Sequence, residues 1–124
     1  MGFGQAIAAG FTNYFNFKDR STRSAYWYFI LFLFLASIVT AVVDVALFEP
    51  KFEPKTVGPI NAIFSLATFI PSLALAVRRL HDIDRSGWWV LLGLIPIIGW
   101  IILIVWACQP TMPQANRFGP PPAA

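Results

Sequence analysis

His81, Asp82 and Asp84 lie within four positions of one another, flanked by Arg78, Arg79 and Arg85. An imidazole beside two carboxylates can hold a cation or pass a proton, since histidine titrates near neutral pH. A structural metal site, however, needs four ligands, usually from two separated His or Cys pairs, and the chain has one His and one Cys. No activated serine or cysteine, phosphate-cradling loop or paired catalytic carboxylates accompany the trio, so the residues point to neither an enzyme nor a metal or other cofactor. Charges of both signs at this density are better read as ion pairs that fix the loop, with arginines also able to reach lipid phosphates. Cys108, the one cysteine, stands in an apolar run and has no partner for a disulfide.

A second polar set has helical spacing. Asn61, Ser65, Thr68 and Ser72 recur every three or four residues and form one stripe. Ser37, Thr40 and Asp44 form another. If the two helices are antiparallel, Asp44 comes opposite Asn61, Thr40 opposite Ser65 and Ser37 opposite Thr68. Small and hydroxylated residues let such helices approach closely and bond across the interface. Asp44 is then either a proton or cation site or a hydrogen-bonded interface residue near the end of its helix. No second carboxylate lies in the apolar stretches to form a relay, which favours the interface role.

The elements that carry these residues are set by hydropathy. Of 124 residues, 57% are hydrophobic and 12% charged, about half the charge of a soluble domain. Apolar stretches at 25–48, 57–77 and 88–109 are each long enough for a hydrocarbon core about 30 Å thick. Backbone groups in lipid must be satisfied internally, so the expected fold is an all-α membrane protein with three transmembrane helices. Pro96 falls inside the third stretch and predicts a crossing kinked there; the alternative is a helical hairpin that returns the tail to its side of origin. Ser86 is placed to cap the start of that segment.

Residues 1–24 form an N-terminal segment in which Phe3, Ile7, Phe11, Tyr14 and Phe15 fall on one helical face. They predict an amphipathic interfacial helix, or a short helix packed on the bundle. Residues 25–109 form the membrane domain, and 110–124, with five prolines, an extended or disordered tail.

Lysine and arginine distribution gives an orientation. Lys18, Arg20 and Arg23 precede the first stretch, and Arg78, Arg79 and Arg85 follow the second; Lys51 and Lys55 lie in the first loop and Arg117 in the tail. Six against three puts the N-terminus and the loop 78–87 in the cytoplasm, and three crossings would put the tail outside. The basic residues flank apolar runs and make no continuous stripe, which argues against nucleic acid despite a net charge of +3.

Three motifs resemble those of a known family. Phe17-Lys18-Asp19-Arg20 through Arg23 to Tyr26-Trp27, Arg79-Leu80-His81-Asp82 through Ser86-Gly87-Trp88-Trp89, and Asn116-Arg117-Phe118-Gly119 are similar to those of the domain-of-unknown-function 805 family, small bacterial inner-membrane proteins. Asp19 departs from the family's usual glycine, and 113–115 depart from its glycine-rich approach to the asparagine. The resemblance implies a multi-pass protein of the bacterial inner membrane and no established activity.

Arg20, Arg23, Arg79, His81, Asp82 and Arg85 are then expected to form one network at headgroup level, with Asp82 bridging to an arginine of the N-terminal segment. The expected role is an accessory protein that binds anionic lipid headgroups or a membrane partner. The alternative is a subunit of an oligomeric channel or transporter, with Ser37, Thr40, Asp44, Asn61, Ser65 and Thr68 lining a path.

Overall fold

A computed structural model describes residues 2–48 and 58–122. The order is α1 (Phe3–Thr12), α2 (Arg23–Phe48), α3 (Pro59–Asp82), a 3₁₀ helix (Gly87–Leu94) and α4 (Ile98–Ala107), with no strand among the described residues. The connection 49–57, which carries Lys51 and Lys55, lies outside them.

Two helices are long and apolar enough to cross a membrane. At 1.5 Å per residue the 26 residues of α2 and 24 of α3 span about 39 and 36 Å. They pack antiparallel, and their exposures run opposite to those of a water-soluble pair. Phe34, Val39, Val42 and Leu47 on α2 and Ile63, Leu66 and Phe69 on α3 are each at least 60% exposed, while Arg20, Arg78, Arg79, Asp44 and Asp82 are buried. Large apolar groups outside and charges inside describe a surface solvated by hydrocarbon. The chain is an integral membrane protein.

The segment 88–109 departs from the single kinked crossing. Pro96 biases the residue before it to extended backbone, and Ile95 has φ −93° and ψ 107°. Ile97 then takes φ 68° and ψ −68°, and the Ile98 amide donates to the Pro96 carbonyl at 2.8 Å. This is a γ-turn in its strained, positive-φ form, and it reverses the chain. Trp89 meets Trp106 edge to face at 5.7 Å, and the Trp100 indole donates to the Gly93 carbonyl at 2.9 Å. Gly99 is required here, because a Cβ would run into the Leu92 carbonyl. The 3₁₀ arm of eight residues is about 16 Å long and the ten-residue α4 about 15 Å. Each arm is shorter than about 30 Å of hydrocarbon, and the path of the chain is that of a hairpin. Ser86 caps its start as expected, its Oγ accepting from the Trp88 amide at 3.3 Å.

α1 packs against α2. Phe3 meets Tyr28 edge-on at 5.9 Å and Phe11 meets Phe29 at 5.5 Å. The residues of α1 that bury fully are Ala6 and Gly10, whereas Phe3, Phe11 and the following Phe15 remain exposed. The small-residue face, not the aromatic stripe, makes the closest contact, as in helix pairs packed through small residues four apart. Tyr14 follows α1 and donates its hydroxyl to the Ala67 carbonyl of α3.

Candidate functional site

The site is built where the N-terminal segment, the end of α3, the end of α4 and the tail converge. α3 delivers Arg78, Arg79, His81 and Asp82 at its C-terminal end, where cations also favour the negative end of the helix dipole. Asp82 is 0% exposed and accepts from two guanidinium groups, Arg20 Nε at 3.0 Å and Arg79 Nη1 at 2.6 Å. The expected carboxylate–guanidinium link between the N-terminal segment and the loop region is present.

Each arginine then ties in further backbone. Arg20 donates to the Met112, Gln114 and Gly119 carbonyls at 2.8, 3.2 and 2.9 Å. Arg79 donates to the Ala107 carbonyl at 3.1 Å and to that of Gln109. These oxygens lie at the end of α4, where carbonyls have no partner within the helix. Arg78 donates to Ser21 Oγ at 2.9 Å and to the Asn13 and Asn16 carbonyls at 3.0 and 2.8 Å. Every one of these three arginines is buried and hydrogen-bonded within the chain.

His81 is held on two sides. Its Nδ1 faces the Lys18 and Asp19 carbonyls at 3.2 and 3.0 Å, so Nδ1 carries the proton and donates. Its ring stacks on Phe118 at 3.8 Å with 6° between planes. Asn116 Nδ2 donates to the His81 carbonyl at 3.0 Å, and Asn116 and Gly119 exchange backbone bonds in an isolated bridge. Among its described residues the tail forms no helix and is anchored across the site through 112–119.

Two expected members sit apart from Asp82. Arg23 donates to the Cys108 carbonyl at 3.0 Å, and Arg85 lies over the Trp106 ring at 4.1 Å. Both fasten the hairpin. The tail's backbone acceptors escaped the sequence reading because a carbonyl has no side-chain signature; only Asn116-Arg117-Phe118-Gly119 marked their place.

The polar seam lies between α2 and α3, its bonds near their far ends. Asp44 is 1% exposed, and its two oxygens accept from the Ile60 and Asn61 amides at 2.8 Å each. It acts as a cap supplied from outside α3, satisfying amides that have no helical partner. The expected pairing of Asp44 with Asn61 holds through the backbone. The Asn61 side-chain amide instead reaches Ser37 Oγ at 3.1 Å and Thr40 Oγ1 at 2.7 Å. Thr68 turns to the Phe64 carbonyl of its own helix at 2.8 Å, and Ser65 contributes its carbonyl to Thr68.

Beside His81 opens a groove of about 480 Å³ between α3 and the 3₁₀ arm, apolar except at its His81 and Ser86 end. Its volume is within the range of small-molecule sites. Among the described residues no group of His, Cys, Asp and Glu is arranged to hold a metal ion.

A helix pair with apolar flanks, a reversed hairpin and a buried arginine–aspartate knot define a small all-helical membrane protein. Residues 14–120 match the family described as Protein of unknown function (DUF805), and the chain belongs to it. It is 44% identical over 110 residues to the inner membrane protein YhaH of Escherichia coli K12, covering 89% of each chain. It is 42% identical over 110 residues to the inner membrane protein YhaI of the same strain, covering 89% of this chain and 88% of that one. No solved structure matches the chain.

Proposed function

We propose that this chain is a multi-pass protein of the bacterial inner membrane that acts by binding, without chemistry of its own, taking up a lipid or a membrane partner on its cytoplasmic side. The inner-membrane setting follows the names of its relatives. The N-terminus, the turn after α3 and the tail are cytoplasmic, with α2 and α3 crossing and the 87–107 hairpin entering and leaving on one side. Pinning of the tail beside Arg20 supports this arrangement, because Arg117 then joins the cytoplasmic set. Seven of the nine Lys and Arg residues, all but Lys51 and Lys55, fall on that side, a stronger bias than three crossings would give.

One observation carries the binding reading. The charges of the knot are spent on one another and on backbone carbonyls, while the groove beside it is open and apolar. Arg20 and Arg79 thus serve as scaffold, and contact with lipid or partner passes to the rim and groove. The test is native mass spectrometry of tagged protein extracted with its surrounding lipid. A defined lipid or protein retained at fixed stoichiometry is expected; a chain that carries none would overturn the reading.

A further inference from the structure

The groove has the form of a receptor for one kind of molecule. Its floor is α3, from His81 back to Val77 and Leu73. The eight helical steps from Leu73 to His81 give it a length of about 12 Å. Its facing wall is the 3₁₀ arm, where three residues per turn align Trp88 and Leu91 on one ridge and Gly87 and Val90 on the next. A 3₁₀ stretch of eight residues is unusually long, and here it keeps the small Gly87 against α3, where a Cβ would come within 2.7 Å of Val77. Phe17 and Phe118 close the end near the knot. Trp88 is 79% and Leu91 51% exposed, so the groove opens sideways through a surface that faces hydrocarbon.

Its polar groups are all at one end. With Nδ1–H held by two carbonyls, the other His81 nitrogen faces Gly87 as an acceptor, so the donor at this end is the Ser86 hydroxyl. The Ser86 hydroxyl accepts from the Trp88 amide and retains its own proton to donate. Charge around this end is cationic only when the whole converging region is counted, Lys18, Arg20, Arg78, Arg79, Arg85 and Arg117 against Asp19, Asp82 and Asp84. Arg117 lies over the Phe118 ring at 4.8 Å, and Lys18, whose carbonyl holds His81, is exposed. Two carboxylates stand among these cations: Asp19 accepts from Asn16 at 2.7 Å, and Asp84 pairs with Arg117 at 3.3 Å in a contact open to solvent.

We infer that the groove between α3 and the 3₁₀ arm seats one acyl chain of an anionic phospholipid from the cytoplasmic leaflet, with its phosphate at the end where the Ser86 hydroxyl can donate. The chain lies along Val77 and Leu73, and Lys18 and Arg117 supply the electrostatic preference. This inference rests on the binding reading above and names its ligand.

The probe is phosphatidylglycerol bearing a diazirine on one acyl chain, incorporated in nanodiscs with the full-length protein, with phosphatidylcholine carrying the same tag as comparator. Photolysis is expected to label Leu73, Val77, Trp88 and Leu91 above the outer α2 residues Phe34 and Val42. Val77→Trp fills the groove and lowers that labelling about tenfold, leaving Phe34 and Val42 unchanged. Leu91→Trp, from the opposite wall, does the same and serves if the first variant does not fold. The double variant Lys18→Gln with Arg117→Gln abolishes the preference for phosphatidylglycerol. Uniform labelling of all exposed apolar positions, or groove labelling indifferent to headgroup in the wild type, would overturn the inference. Retention of a defined lipid or partner in native mass spectra alongside uniform labelling would sink the groove alone; retention of nothing would remove the binding reading too.

Discussion

The two ends of the α2–α3 pair each bury a carboxylate, and they neutralise it by different means. Asp82 faces two guanidinium groups, at 3.0 and 2.6 Å. Asp44 accepts from two backbone amides at the start of α3, where the positive end of the helix dipole does part of a cation's work. The consequences for architecture differ. A guanidinium has five donors in a fixed fork, so the arginines around Asp82 have bonds left over, and these tie in α4 and the tail. Amides at a helix start have no such surplus, so Asp44 joins α2 to α3 and nothing more. Cation pairing assembles several segments, whereas amide capping aligns two.

The largest test removes Asp82. Asp82→Ala leaves Arg20 and Arg79 buried without their common counter-charge, a change that costs about 3–5 kcal/mol. Thermal unfolding in detergent should show a severe loss, and limited proteolysis should cut the tail of whatever still folds. A stable variant with a protected tail would mean that carbonyl acceptors alone hold the arginines, and the distinction between the two ends would collapse.

Arg20→Gln is expected to act next most strongly and more locally. It removes charged hydrogen bonds to three tail carbonyls, each class of bond contributing about 1.5–3 kcal/mol, while Arg79 still pairs with Asp82. Proteolysis should release 110–124 with α2 and α3 intact. Unfolding of the helix pair together with the tail would show that the segments are not separable.

At the other end, Asp44→Ala should cost about 1–2 kcal/mol, the scale of a lost helix cap. Asp44→Asn should recover part of this by keeping one acceptor oxygen. Gly58→Ala should mimic the loss, since its Cβ would press into the Asp44 side chain. The tail must remain protease-resistant in all three, because Asp44 holds nothing beyond α3. Equal damage from Asp44→Ala and Asp82→Ala would erase the contrast.

The same physics explains what was legible in the sequence. Hydropathy found α2 and α3 because each is a long apolar run, and it found the start of the third segment through Ser86. It could not choose between a crossing and a hairpin in 88–109, since both need the same apolar residues. The reversal is set by backbone geometry at Pro96 and Ile97 and by the close approach that Gly99 permits. Charge pattern and motif together set an arginine of the N-terminal segment against Asp82, and the structure makes it Arg20. They assigned lipid phosphates to arginines whose real acceptors are carbonyls, because burial is a property of the assembled segments. In α1 the bulky stripe drew attention from Ala6 and Gly10, although small residues four apart are themselves a packing signal. The seam's faces were readable from spacing, but bonds between backbone and side chain shifted Asn61 onto Ser37 and Thr40.

The smallest expected effect separates burial from charge within one end of the molecule. Asp84 and Arg117 pair at 3.3 Å only a few residues from Asp82, yet their side chains are 42% and 59% exposed. An exposed pair gains little Coulomb energy, loses side-chain entropy and is screened by salt. Arg117→Ala should therefore change thermal stability by less than about 0.5 kcal/mol, and the change should shrink further in high salt. Asp82→Ala should keep its full effect under the same conditions, because its pairs are shielded from solvent. A loss from Arg117→Ala that rivals the Asp82 variant would show that the rim charges, and not the buried knot, hold the tail.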